Sequence, residues 1–227
     1  SVIHQSAVRL LNLINQILDF RKTETQNKKL CVTKGNLTNV VYETGLKYKE
    51  LNNKPEIQIL IEVEDENMTL FFDKEVITVV LDNLISNALK YTEKGYIRIR
   101  AEWVTENGIR YAQLSVEDTG YGIGQEALTH IFERYYQESE AHQASGTGIG
   151  LALVKNLVKL HEGDIQVKSL PDVVLHSICV CWLKIYTLTH YMEKIYKQTS
   201  KTPKKRTPLR SWKLQSPIRM HVRSFSL

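Results

Sequence analysis

The chain has 227 residues, 42% of them hydrophobic, and a net charge of +5, which suits one good-sized core with appendages. No apolar run approaches the ~20 residues that cross a bilayer, and the N-terminus lacks the basic, apolar, small-residue order of a signal peptide. Cys31, Cys179 and Cys181 form neither a Cys-x-x-Cys pair nor a metal-ligand cluster, so a disulfide framework and a zinc site are not expected and a reducing cytoplasm is.

Along residues 1–22, Ile3, Ala7, Leu10, Ile14 and Ile17 recur at spacings of four and three, with Leu11 and Leu18 widening the stripe. The spacing predicts a helix with a coiled-coil-like seam, and a stripe on so short a segment needs a core or a helical partner to bury it. A strand is expected at Leu30–Thr33, a helix at Leu37–Leu51 ended by Asn52, Asn53 and Pro55, then strands near Ile57–Val63 and Thr69–Phe72. A long apolar-periodic helix follows over Asp73–Tyr91, and Tyr96–Trp103 with Tyr111–Glu117 forms a hairpin around Glu106-Asn107-Gly108. Residues 120–150 are rich in glycine around one short helix; a helix over Ile149–His161 and a strand over Asp164–Lys168 close the recognisable part. This order of helices and mostly antiparallel strands predicts an α+β sandwich with one helical layer on one sheet.

Charge is segregated at the far end. Residues 173–227 hold 11 basic residues against 1 acidic, a net +10, whereas residues 1–172 hold 19 against 24, a net −5. Such a tail suits a nucleic-acid or membrane arm or, as preferred here, a segment outside the fold.

Three segments carry chemistry. On the Asp73–Tyr91 helix, Asn83, Asn87 and Lys90 stand at i, i+4 and i+7 on one face, beside an apolar face of Val80, Leu81, Leu84 and Ala88. A carboxamide oxygen ligates hard cations and a lysine one turn away reaches a phosphate, although chance also produces the spacing. Glu117-Asp118-Thr119-Gly120-Tyr121-Gly122-Ile123-Gly124 follows a strand directly; its glycines let backbone approach a ligand and its aspartate can accept from an exocyclic amine, but an ordinary turn has the same composition. Gly146-Thr147-Gly148-Ile149-Gly150-Leu151 runs into a helix, whose free N-terminal amides suit phosphates. It is neither a dinucleotide fingerprint nor a Walker loop.

Together with Ile131-Phe132-Glu133-Arg134-Tyr135-Tyr136, these segments resemble, in order, the four sequence boxes of the histidine-kinase ATP-binding domain, over about Leu30 to Lys168. Residues 1–26, from His4-Gln5-Ser6 through Leu18-Asp19-Phe20-Arg21-Lys22, resemble the second dimerisation helix of the same family, most similarly that of hybrid two-component sensors of gut-type Bacteroidetes. The resemblance implies a two-layer Bergerat (GHKL) sandwich over residues 27–172 and a module that transfers the ATP γ-phosphate to a histidine. It makes Asn87 the Mg²⁺ ligand, puts Asn83, Lys90 and Tyr91 beside phosphates and sugar, and gives Asp118 the adenine amine. Gly120, Gly122 and Ile123 then shape the pocket floor, Phe132 and Arg134 belong to a mobile lid, and Gly146, Thr147, Gly148, Ile149, Gly150 and Leu151 flank the triphosphate. Implied partners are the phosphoacceptor helix, a second copy in a homodimer and a response regulator, with no nucleic acid and no direct membrane contact by this segment; the parent protein would sit in the inner membrane with this segment cytoplasmic.

Where ATP-hydrolysing relatives such as gyrase carry a glutamate base, one turn before the metal-binding asparagine, this chain has the neutral Asn83, which favours kinase over ATPase. A degenerate nucleotide-binding interaction module is the other alternative. Two departures matter. None of the seven histidines stands in a His-Glu-x-Arg-Thr-Pro type acceptor context; His4 heads the wrong helix, and His130, His142, His161, His176, His190 and His221 are expected at the surface or in the lid. The family's closing Gly-Thr-Ser-Phe strand is replaced by Val173-Val174-Leu175-His176-Ser177-Ile178. Joining each codon's third base to the next two permits Gly, Thr, Ser, Phe, Tyr and Leu in turn, which predicts a single-nucleotide frame change near codon 173 and a tail of no selected function. Leu175–Trp182 is still apolar enough to fill the edge-strand position.

Overall fold

The computed structural model describes residues 14, 30–106, 108–137, 147–170 and 176–184. The expected dimerisation helix, apart from Ile14, lies outside them, as do Gly146, the first residues of the atypical tail and everything after residue 184.

Strand β1 spans Thr33–Asn36, slightly later than expected because Leu30–Val32 runs unpaired into it. Helix α1 spans Leu37–Leu51. It starts where the Asn36 carboxamide accepts the Thr38 N–H at 3.0 Å, an N-cap that satisfies one of the helix's orphan donors. Strands β2 (Ile57–Val63) and β3 (Thr69–Phe72) follow. Asp73 then caps helix α2 (Lys74–Tyr91) by accepting the Val76 N–H at 3.1 Å. The hairpin is longer than its alternation suggested: β4 covers Gly95–Glu106 and β5 Ile109–Asp118, and the pairing of Glu106 with Ile109 leaves a two-residue connection with Gly108 at φ 77°. After the single-turn helix α3 (Gln125–Leu128) come α4 (Gly150–Leu160), β6 (Asp164–Leu170) and β7 (His176–Lys184).

The strands form a five-stranded sheet in the order β2-β4-β5-β7-β6 and a two-stranded sheet of β1 with β3. Only β2 with β4 is parallel in the larger sheet. β7 therefore lies inside the sheet between β5 and β6, not at its edge as expected. A strand there pairs on both sides whatever its side chains, since the ladder is backbone to backbone, and removing it would leave the β5 and β6 edges open.

The apolar faces of α1, α2 and α4 cover one face of this sheet. Val76, Ile77, Val80, Leu81, Leu84 and Ile85 of α2 meet Ile97 and Ile99 of β4 and Leu114 and Val116 of β5, all buried. This is the expected α+β two-layer sandwich, extended by the small β1/β3 sheet. The layer is tight: a Cβ on Gly45 of α1 would lie 2.6 Å from Ile61 Cδ1. Among the described residues no helix is long and apolar enough to cross a membrane.

His161 corrects one expectation. It is not a surface residue but 1% exposed at the end of α4. Its Nε2 accepts the backbone N–H of Asp73 at 3.3 Å, while Asp73 Oδ2 accepts the Cys31 N–H at 2.7 Å. The start of α2, the end of α4 and the entry to β1 are thus joined through the buried Asp73 and His161.

Candidate functional site

The candidate site is built along α2. Asn83 and Asn87 sit one turn apart on its face, both half-buried. Asn83 Nδ2 donates back to the Val79 carbonyl at 2.8 Å, which fixes the amide plane and leaves Oδ1 directed outward. It faces the first residue of α4: a Cβ added to Gly150 would lie 2.9 Å from Asn83 Oδ1 and 4.0 Å from Asn87 Nδ2. The absence of a side chain at Gly150 thus keeps a cradle open between two carboxamides and a helix N-terminus. That N-terminus has no side-chain cap, so its first amides remain available to an anion.

The turn that precedes α4 takes its shape from Gly148, at φ 66°, where a side chain would be strained and would also meet Tyr135 Cα at 2.6 Å. Its carbonyl accepts the Tyr135 N–H at 2.9 Å, and Thr147 Oγ1 accepts the Ile149 N–H at 3.3 Å. Ile149 is buried and Leu151 packs against the core, so the glycine turn is anchored by apolar residues on either side of Gly150. The segment after α3 is held to α4 as well: Lys155 Nζ stands 4.9 Å from the centroid of the half-buried Phe132 ring. Arg134 is exposed.

At the C-terminal end of α2, Lys90 Nζ donates to the Tyr91 hydroxyl at 2.9 Å and lies 4.5 Å from its ring centroid. The Tyr91 carbonyl accepts the Tyr121 N–H at 3.3 Å. Gly120 is packed so closely there that a Cβ would fall 2.6 Å from the Tyr91 oxygen and 2.7 Å from Asp118 Oδ1; its glycine is required by contact, not by φ. Asp118 closes β5, is 7% exposed and accepts the Gly120 N–H on Oδ1 at 2.9 Å. Pleating sends its neighbour Glu117 to the opposite face, where Glu117 accepts from the Tyr96 hydroxyl at 2.8 Å and Arg98 Nη1 at 3.2 Å. Only Asp118 of this pair of carboxylates faces the site. Gly122 takes φ 73°, and the Ile123 N–H that follows donates to Ser169 Oγ at 2.8 Å. A hydrogen bond to the Glu93 carboxylate pushes the Tyr121 phenol above its ordinary range.

Two clusters therefore meet one helix, Asn83 with Gly150 near its middle and Tyr91 with Gly120 and Asp118 at its C-terminal end. The eight helical steps from Asn83 to Tyr91 span roughly 12 Å of helix axis, a length over which an extended ligand with an anionic end and a hydrogen-bonding end can lie. The structure brings Asn83 and Asn87 to Gly150, and Tyr91 and Asp118 to Gly120; it sets Phe132 against Lys155 of α4 and leaves Arg134 exposed, while Gly146 lies outside the described residues. Sequence reasoning missed Ser169, Lys155 and Tyr121: a serine within a strand and a lysine within a helix carry no local signal of the turn or ring they hold.

Residues 72–185 match the family described as histidine kinase-, DNA gyrase B-, and HSP90-like ATPase; the match includes β7, beyond the Lys168 limit drawn from the boxes. Histidine kinase P4 of Formosa agariphila is 32% identical over 170 residues, 73% of this chain and 12% of that protein. The autoinducer 2 sensor kinase/phosphatase LuxQ of Vibrio harveyi is 36% identical over 173 residues, 74% of this chain and 20% of that protein. The chain thus spans a fifth or less of the length of these two relatives. In fold it is similar to full-length ShkA solved in complex with AMPPNP, with TM-score 0.70 and 24% identity over 82% of this chain and 38% of that one. The chain belongs to the histidine kinase-, DNA gyrase B- and HSP90-like ATPase family.

Proposed function

We propose that this chain binds ATP with Mg²⁺ along α2 and hands the γ-phosphate to a histidine supplied by another segment. The observation that carries this proposal is the meeting of both glycine turns with one helix, Gly150 against Asn83 and Gly120 against Tyr91. Asp118 accepts the adenine amine, and Gly120, Gly122 and Ile123 form the floor beneath the base. Tyr91, Lys90 and Asn83 line the sugar and phosphates. The turn from Gly146 through Thr147, Gly148, Ile149 and Gly150 to Leu151 flanks the triphosphate, with Phe132 and Arg134 over it as lid residues.

The donors suit Mg²⁺ held partly by its substrate. The described residues contain no group of three or more His, Cys, Asp or Glu placed to hold a metal, so Asn87 Oδ1 would share the ion with phosphate oxygens and water. Bound there, Mg²⁺ neutralises charge on the transferring phosphoryl group. The chain's own part is positioning: Asn83 and the α4 amides orient the phosphates, and Lys90 adds a point charge. Asn83 is neutral and bonded to the Val79 carbonyl, so it cannot take a proton from water. A histidine acceptor is itself the nucleophile and needs no such base.

The proposed organisation is a dimerisation helix over residues 1–26, the nucleotide domain over 27–172, and an atypical tail over 173–227 whose start supplies β7. The partners would be a phosphoacceptor helix, a second copy and a response regulator in a cytoplasmic, membrane-anchored hybrid sensor. Calorimetric titration tests the site. Asp118→Ala is expected to weaken ATP binding by ~1–3 kcal/mol, the cost of leaving a buried donor unpaired. Asn87→Ala should abolish the tightening by Mg²⁺ while roughly retaining adenosine binding. Unchanged affinity in the first, or a persistent metal effect in the second, contradicts the corresponding role.

A further inference from the structure

The last four carbonyls of a helix have no intrahelical partner and must find one elsewhere. In α2 the Ala88 oxygen accepts the Thr92 N–H at 3.0 Å and the Tyr91 oxygen accepts the Tyr121 N–H at 3.3 Å. The Leu89 oxygen is taken by a side chain from a distant loop: Lys54 Nζ donates to it at 2.6 Å and to the Thr92 oxygen at 2.9 Å. A cation at this end also opposes the negative pole of the helix dipole.

The loop that presents Lys54 is fixed by its own hydrogen bonds. Asn52 Oδ1 accepts the Lys54 N–H at 3.0 Å, and Asn52 Nδ2 donates to the Lys54 oxygen at 3.1 Å and the Ile57 oxygen at 3.0 Å. The Ile57 N–H also donates to the Lys54 oxygen, at 3.1 Å, and Pro55 holds the residue before it extended. Lys54 is therefore a preset clamp across the final turn of α2. The carbonyls it grips bracket Tyr91, whose own oxygen sets the seat of Gly120 and, through it, of Asp118.

We propose that Lys54 is a positioning residue for the adenine end of the nucleotide site: by holding the Leu89 and Thr92 carbonyls it fixes the spacing between α2 and the Asp118 turn. This inference rests on the adenine role of Asp118. Asn83 and Asn87 lie further back along α2 and do not depend on the clamp, so the two ends of the site respond differently to its loss.

The test is titration of adenosine, and of ADP with and without Mg²⁺, against Lys54→Met, Lys54→Arg and Asp118→Ala, below each variant's melting temperature. Lys54→Met is expected to lose about five- to tenfold in affinity for adenosine and for ADP, with the factor by which Mg²⁺ tightens ADP unchanged. Lys54→Arg, which keeps a cationic donor, restores most of that loss. A role in stability alone would lower the melting temperature and leave the affinity of the folded protein intact. Wild-type adenosine affinity in Lys54→Met beside a weakened Asp118→Ala overturns the role of Lys54. Wild-type affinity in both overturns the adenine site together with the role built on it. Should Lys54→Met not fold, Lys54→Gln, with a shorter and uncharged donor group, takes its place under the same comparison.

Discussion

The residues of the site are held by their neighbours more than by their own chemistry. Asn83 owes its orientation to the Val79 carbonyl, Asp118 to the Gly120 amide, and Ile123 to Ser169. Thr92 is the exception. It is fully buried just beyond Tyr91, and among the described residues its hydroxyl is the one buried side-chain polar atom with no hydrogen-bond partner. An unpaired buried hydroxyl costs free energy that a methyl of similar shape does not. Thr92→Val is therefore expected to leave stability unchanged or raise it by up to about 1 kcal/mol in urea denaturation. A loss larger than that would mean the hydroxyl is bonded in solution.

At the scale of elements, the sandwich depends on where helix ends meet. The Asp73 amide leans on His161 Nε2, so the helix that carries both asparagines is tied to the helix that opens at the second glycine turn. His161→Leu would leave that amide without its acceptor, and a loss of ~1–3 kcal/mol of stability is expected. His161→Gln, which retains an acceptor, is expected to lose less, and equal losses in the two would remove the hydrogen bond from the account. The long periodic segments were legible in the sequence: the bounds of α1, β2 and β3 agree with their hydrophobic periods, and α2 differs only by its cap. Periodicity reports burial, and these elements are buried on one face. What periodicity does not carry is pairing. It could not place β7 between β5 and β6, because position in a sheet depends on backbone partners far away in sequence. Nor could it find His161, whose hydrogen-bond donor is a backbone amide 88 residues away. The site was legible in part for a related reason: glycine at alternate positions marks close approach, whereas Ser169, Lys155 and Lys54 act through single long-range contacts.

For the molecule as a whole, the proposed nucleotide site is combined with seven histidines that lack an acceptor's sequence context. The charge division follows the same line, with net −5 before residue 173 and +10 from there on. Under the proposed function, phosphoryl transfer would require a histidine brought to this chain, and proximity provides much of the rate of such a step. The direct measurement is incubation with γ-labelled ATP and Mg²⁺, alone and with a dimerisation fragment that carries the acceptor histidine, followed by assay of acid-labile phosphate. The expected result is no label on this chain alone and slow labelling of the added fragment, abolished by Asn87→Ala. Strong self-labelling of this chain, or no transfer to the fragment while ATP binding is intact, would contradict the proposed function.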